Sequence, residues 1–187
     1  MFVDIFKTEK KYNIIYADPP WRYQDKSCAG GAEKHYSTMK LDDICNLPIN
    51  NIAENDSVLF LWATYPMLNE AMRVITSWGF KYKTLAFQWV KLNRRNNGYF
   101  FGVGRWTRSN TEALLLAVKG KPHKYLINKG ISQIIEYPVG MHSQKPPVAR
   151  DKIIELLGNL PCIELFARDC ADGWDCWGNE CGGGQTN

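Results

Sequence analysis

The sequence predicts an α/β fold with a mainly parallel sheet and helices on both faces. Short apolar runs, rich in β-branched and aromatic residues with little polar alternation, suit strands buried on both sides. Helically spaced segments alternate with them, the order that builds parallel sheets. A length of 187 residues suffices for one such domain and is too short for two comfortable ones. One domain is expected over residues 1–181, with the glycine-rich end, 182–187, as a disordered tail.

The first strand is expected at 13–17, ending in the acidic, proline-stiffened turn Asp18-Pro19-Pro20-Trp21. A long segment, 22–40, follows, and 41–47 suits a short helix. The run 57–62 reads as the second strand. Pro66 then opens a helix whose stripe is Met67, Ala71, Val74, Ile75 and Trp78, and Gly79 ends it. Strands at 84–90 and 112–118 flank a second long segment, 92–110. A further helix starts near Pro146, turns Val148, Ile153, Ile154 and Leu157 inward, and stops at Gly158. The last strand is 162–166. Ligands of such sheets bind beyond the carboxyl ends of the strands, where Asp18 and the residues after Phe166 are expected.

Net charge is +4, but it is unevenly placed. Lys81, Lys83, Lys91, Arg94, Arg95, Arg105, Arg108, Lys119, Lys121 and Lys124 fall in one segment whose only acid is Glu112. Tyr99, Phe100, Phe101 and Trp106 interleave with them. Positive charge suits phosphates and aromatic faces suit unstacked bases; a solvated loop with a few core aromatics has the same composition. Six cysteines include no C-x-x-C pair, so reduced thiols and no metal are expected. The first residues lack a signal-peptide layout, and no apolar run reaches membrane-spanning length. A cytoplasmic protein is expected, associated with the nucleoid, or in the host-cell cytoplasm if phage-encoded.

Asp18 offers carboxylate oxygens, its neighbours offer carbonyls, and Trp21 offers a flat ring. That set suits a planar molecule gripped by an exocyclic amino group. An ordinary strand-end turn is the alternative for any single X-Pro-Pro.

Further blocks then assemble in order: His35-Tyr36-Ser37-Thr38-Met39, the strand from Val58 to Trp62, and Trp89-Val90-Lys91. Glu112 through Gly120, Ser143-Gln144-Lys145-Pro146, Glu164-Leu165-Phe166-Ala167-Arg168 and Gly178-Asn179-Glu180 complete the series. In this order the chain resembles, over about residues 3 to 180, the adenine-N6 methyltransferases related to the catalytic subunit of the eukaryotic messenger-RNA adenosine methyltransferase. Bacterial and phage DNA-modifying enzymes belong to the same family. The resemblance implies a Rossmann-like fold using S-adenosylmethionine, with the catalytic block before the cofactor block as in β-class enzymes. It implies catalytic roles for Asp18, Pro19, Pro20, Trp21 and Tyr36. Asp18 and the Pro19 carbonyl would accept the two amino hydrogens of the target adenine. It places Asp4, Ile5, Asp18, Lys145, Phe166, Arg168, Asn179 and Glu180 around the cofactor, with Lys145 on its carboxylate. Relatives usually carry Gln at the position of Glu180.

The implied activity is methyl transfer to the N6 of adenine in DNA. The small size, without an appended zinc finger or long extension, favours DNA. RNA adenosine methylation is the alternative within this chemistry, and N4 methylation of cytosine a third option. A catalytically inactive nucleic-acid-binding partner subunit is the alternative outside it. Arg94, Arg95, Tyr99, Arg105, Trp106 and Arg108 are the expected nucleic-acid contacts, and a homodimer is an expected assembly.

Overall fold

The computed structural model describes residues 1–22, 38–96, 98–104, 106–140 and 144–181. Seven strands form one sheet: β1 (Tyr12–Ala17), β2 (Ala53–Ala63), β3 (Lys81–Leu92), β4 (Thr111–Lys119), β5 (Ile134–Pro138), β6 (Cys162–Leu165) and β7 (Asp175–Trp177). Their spatial order is β5-β3-β4-β2-β1-β6-β7. β1 pairs in parallel with β2 and β6, as do β3 with β5 and β6 with β7; β4 runs antiparallel to β2 and β3. The mainly parallel expectation holds, with one reversed strand.

Period-two alternation divides the core between the two faces. Ile15, Ala17, Leu59, Leu61, Ala63, Leu115 and Ala117 point to one side. Ile14, Tyr16, Val58, Phe60, Trp62 and Leu114 point to the other. The first face is covered by α1 (Leu41–Cys45), α2 (Ile49–Ile52) and α3 (Leu68–Ser77), which bury Ile44, Ile49, Ile52, Ala71, Val74 and Ile75. The second is covered by α4 (Val148–Leu157) through Ala149, Ile153 and Leu157, spaced four apart so that they share one side of the helix. Trp78 is buried with its Nε1–H donating to the Ile44 carbonyl at 2.8 Å, so an indole is buried without an orphaned donor.

All five expected strands form, and four of them extend beyond their apolar runs. Two strands have no such run. β5 lies at one edge and buries only Ile135, and β7 is three residues long at the other edge. Edge strands pair by backbone and need few apolar side chains, which is why pattern misses them. The short α2 was not expected, and Met67 belongs to a 3-10 turn before α3. On α4 the buried residue in the first turn is Ala149, whereas Val148 and Ile154 are only half-buried. The final strand stops at Leu165, because Phe166 takes φ +60°. Most of 22–40, and the tail 182–187, lie outside the described residues.

The expectation of reduced thiols fails for one pair: Cys170 and Cys176 form a disulfide. Parallel pairing of β7 with β6 returns Cys176 beside the turn that follows β6, a proximity that spacing alone does not reveal. Cys45, Cys162 and Cys181 are free, and burial pushes the Cys162 thiol up to about 11. Cys28 lies outside the described residues.

Candidate active site

The chain leaves β1 toward β2 on one side, while β6, on the other side, leads on to β7. At such a reversal the crevice beyond the carboxyl ends of the two strands stays open. Asp18 follows β1 and Phe166 follows β6, so the two flank that crevice. β3 ends at the same rim with Lys91, and the antiparallel β4 starts there with Glu112.

Four charges alternate along this rim. Lys145 Nζ stands 2.8 Å from Asp18 Oδ2 and 3.1 Å from Glu112 Oε1. Lys91 Nζ stands 2.9 Å from Glu112 Oε2. The side chains of Lys145 and Glu112 are 9% and 5% exposed, and that of Asp18 29%. Aromatic faces lie against the two ammonium groups: Lys145 is 5.7 Å from the Trp62 ring centre and Lys91 4.8 Å from that of Trp89.

Burial raises the pKa of Asp18; Lys145 pulls it down, Glu112 adds an upward push, and the balance lies above the ordinary value of 3.8. Burial also opposes the charge on Glu112, but Lys145 and Lys91 outweigh it and hold this carboxyl below its ordinary value. For Lys145, burial opposes the charge while Asp18 and Glu112 overcome it, so the ammonium is retained well past the ordinary lysine value.

Pro19 and Pro20 already use their carbonyls. The Pro19 oxygen accepts from Trp21 N–H at 2.8 Å, and the Pro20 oxygen from Met39 N–H at 3.0 Å. A carbonyl has two lone pairs, so the Pro19 oxygen retains one acceptor position. Trp21 is not an open platform. It is 7% exposed and donates from Nε1 to the Trp62 carbonyl at 3.3 Å, so its ring braces the turn from beneath. Tyr36 lies outside the described residues.

On the other flank, Phe166 packs its ring edge-on to Trp177 at 5.4 Å, and Phe6 meets Trp177 at 6.1 Å. The positive φ of Phe166 is uncommon for a bulky residue. Gly178 makes room for this turn, since a Cβ there would lie 2.1 Å from the Ala167 oxygen. Arg168 is half-buried and close enough to lower the pKa of Asp18. Ile5 is buried, whereas Asp4 caps the turn before β1 and pairs with Lys7 at 3.3 Å. Asn179 and Glu180 are exposed in a turn after β7. Asp18, Lys145, Phe166 and Arg168 therefore converge, and Asp4, Asn179 and Glu180 lie at the margin.

The residues present suit a zwitterionic nucleoside such as S-adenosylmethionine. Lys145 is a nearly buried ammonium with two carboxylate partners for its three donors, and aromatic rings line the neighbouring turn. Sequence reasoning missed Glu112 and Lys91 as members of the site. The signal was one acid inside an apolar strand, which needs partners to be buried.

The segment between β3 and β4 folds back on itself. Phe100 N–H bonds to Lys91 O, Asn93 N–H to Gly98 O and Gly102 N–H to Ser109 O. Trp106, Val103, Phe101 and Tyr99 are exposed on this arm, Trp106 at 99%. Arg94, Arg95 and Arg108 are also exposed, with Arg94 Nε donating to the Val139 carbonyl at 2.7 Å. Arg105 lies outside the described residues. The ten cations do not form one patch. Lys81 and Lys119 sit at the far ends of β3 and β4, roughly 25–30 Å from the arm at about 3.3 Å per residue, and Lys124 is paired with Asp56.

A surface depression of about 690 Å³ lies at the opposite rim, lined in part by Lys10, Tyr12, Cys162, Trp174 and Asp175. Of its polar groups, Asp175 accepts from Lys10 at 3.0 Å and from Tyr12 at 2.8 Å.

The type II methyltransferase M.MunI of Mycoplasma sp is 36% identical over 189 residues, covering 91% of this chain and 78% of that protein. The N(6)-adenosine-methyltransferase MT-A70-like protein of Arabidopsis thaliana is 27% identical over 92% of this chain. The N(6)-adenine-specific methyltransferase METTL4 of Mus musculus is 29% identical over 91%. The chain spans only 24% and 38% of the lengths of these two eukaryotic proteins. The MT-A70 family model matches residues 12–180, from the start of β1 to the turn after β7, and the chain belongs to the MT-A70 family.

Proposed function

We propose that the protein is an S-adenosylmethionine-dependent methyltransferase acting on the exocyclic N6 of adenine in DNA, with residues 1–181 as its methyltransferase domain. The observation that carries this is the ion pair of Lys145 with Asp18 at the mouth of the β1–β6 crevice, in an MT-A70 chain. DNA is preferred over RNA because the relative matched along most of its own length is a type II methyltransferase. A similarity to the N6-adenosine-methyltransferase non-catalytic subunit MTB of Arabidopsis thaliana covers 46% of the chain. The intact Asp18-Pro19-Pro20-Trp21 block, with its charge network, favours an active enzyme.

Bound S-adenosylmethionine supplies an electrophilic sulfonium methyl group. The adenine amino nitrogen is a poor nucleophile, because its lone pair is delocalised into the ring. Asp18 accepts one amino hydrogen and the second lone pair of Pro19 O accepts the other. These two bonds favour a pyramidal nitrogen and aim its lone pair. Catalysis is then mainly positioning and electrostatics, with no covalent enzyme intermediate. Lys145 would hold the cofactor carboxylate, and Phe166 and Arg168 would contact its nucleoside, with Asp4, Ile5, Asn179 and Glu180 as further candidate contacts. The arm between β3 and β4 grips the nucleic acid, Arg95 and Arg108 on phosphates and Trp106 or Tyr99 on an unstacked base. We place the reaction in the cytoplasm, with a second copy of the chain completing the hold on DNA.

The test is incubation of the full chain with labelled S-adenosylmethionine and matched adenine-containing DNA and RNA, followed by nucleoside mass spectrometry. N6-methyladenine in DNA is expected. Transfer to RNA alone overturns the DNA assignment, and absence of transfer to either overturns the activity.

A further inference from the structure

The geometry assigns Glu112 as a positioning residue: it anchors the Lys145 ammonium to the sheet so that Asp18 keeps an acceptor oxygen for the target amine. This rests on the roles proposed above for Asp18 and Lys145.

Asp18 lies just beyond β1, and Lys145 precedes α4, so neither belongs to a strand or helix. Glu112 does, as the second residue of β4, and is 4% exposed. Its two oxygens are divided, Oε1 to Lys145 at 3.1 Å and Oε2 to Lys91 at 2.9 Å. Lys91 sits near the end of the neighbouring β3, so Glu112 is fixed from both sides of a strand pair. With only Asp18 as partner, the Lys145 ammonium would settle fully onto that carboxylate. The oxygen that must accept from the adenine amine would then be occupied. Glu112 draws Lys145 toward the sheet and shares its charge, while Lys91 balances the charge this adds.

A purely structural role is the competing explanation, because an acid is needed there to neutralise a nearly buried and a half-buried lysine. The two explanations part in a charge-balanced double variant, Glu112→Leu with Lys91→Met. It removes the anchor but leaves Asp18 and Lys145 as a neutral pair, so folding is restored while positioning is not. Single-turnover methylation of an adenine-containing DNA duplex, chemical unfolding and an NMR titration of the Asp18 carboxyl are measured on the full chain.

The single variant Glu112→Gln is expected to slow transfer about tenfold and to move the acid limb of the rate profile to lower pH. Asp18 is faced by Lys145, Glu112 and Arg168, with Glu164 and Tyr16 also within electrostatic reach, and losing the Glu112 charge removes one upward push. The double variant is expected to fold with near wild-type stability, to transfer about a hundredfold more slowly, and to show a lowered Asp18 pKa. A double variant within twofold of the wild-type rate, with Asp18 titrating unchanged, assigns Glu112 to structure only and overturns the proposal. If Glu112→Gln does not fold, the double variant decides alone. Failure of the wild-type chain to transfer methyl groups counts against the proposed activity; a wild-type rate in the variants counts against Glu112 only.

Discussion

Lys145 Nζ lies 2.8 Å from Asp18 Oδ2, so the residue assigned to the cofactor carboxylate and the residue assigned to the target base share one ion pair. Binding at one of them is therefore felt at the other. Replacing Lys145 by Met removes the cofactor partner and also the cation that pulls the Asp18 pKa down. Calorimetry should show at least a tenfold loss of S-adenosylmethionine affinity. The acid limb of the remaining activity should move to higher pH. Two unchanged parameters would argue against both assignments.

Asp18→Asn keeps the shape and removes the charge. An amide retains one acceptor oxygen but presents its NH2 to Lys145 or to the amine, both of them donors. Loss of one preorganised acceptor at a transition state costs about 2.7–4 kcal/mol, or 10² to 10³ in rate. Fold stability should change far less than activity, because Lys145 keeps its 3.1 Å contact with Glu112. Parallel rate and urea-unfolding measurements separate the two.

Trp21 is expected to act on stability before chemistry. Its ring is 7% exposed and hydrogen-bonded to the Trp62 carbonyl, so Trp21→Ala opens a large cavity under the Asp18 turn. Large aromatic truncations of this kind cost about 3–5 kcal/mol. Trp21→Phe keeps most of the volume and loses the donor, and should cost about 1–3 kcal/mol. Chemical denaturation reads both. A variant with full stability but no activity would argue against a bracing role for Trp21.

The legibility of each feature follows from its physics. Asp18 and Lys145 stood out because both lie in contiguous motifs, Asp18 by its own residue types and Lys145 through the family resemblance of its segment. β1 to β4 and β6 were readable because strands covered on both faces must be apolar throughout. Edge strands β5 and β7 carry no such demand. Glu112 looked like a lone acid in a basic segment, because its two lysine partners come from β3 and from the loop before α4. The same segment looked like one basic patch because sequence order hides that the β3–β4 hairpin carries its cations to opposite ends. The bracing position of Trp21 beneath the turn was not legible, because nothing local tells a stacking indole from a buried one. The Cys170–Cys176 pairing depends on β7, an element the pattern did not reveal.

The charge network predicts a pH-dependent stability difference. Glu112 has a folded pKa below its ordinary value of 4.5, so its contribution is present above that value and is lost as pH falls through the folded pKa. Asp18, with a raised pKa, works in the opposite sense, weakening the folded state at neutral pH and easing on acidification. In Glu112→Gln the first contribution is absent at every pH. At pH 7 the variant should be less stable by about 3–5 kcal/mol, the usual cost of breaking one side of a buried pair. The gap should close as the wild-type carboxyl protonates below pH 4.5. Urea titrations of both proteins between pH 7 and pH 3 check this, and a gap that stays constant with pH would contradict the lowered Glu112 pKa.

The arm between β3 and β4 predicts how the protein holds its substrate. Arg95 and Arg108 are exposed on it, whereas Arg94 has its Nε engaged by the Val139 carbonyl. Each phosphate contact contributes about 0.9 to the slope of log affinity against log salt on duplex DNA. Arg95→Glu and Arg108→Glu should therefore each weaken binding and flatten that slope by about one, with Arg94→Glu acting less cleanly through its loop contact. Lys81→Glu and Lys124→Glu, at the far end of the hairpin, should leave the slope unchanged. Trp106 has nearly its whole side chain in solvent, so Trp106→Ala should leave unfolding unaffected. Base stacking on an aromatic ring is worth roughly tenfold or more in affinity, and that loss should be independent of salt. Fluorescence anisotropy with a labelled duplex across a salt series reads slope and intercept together. A flattened slope in the Arg variants, with a salt-independent offset in the Trp106 variant, assigns phosphate contact and base stacking to opposite chemistries of one arm.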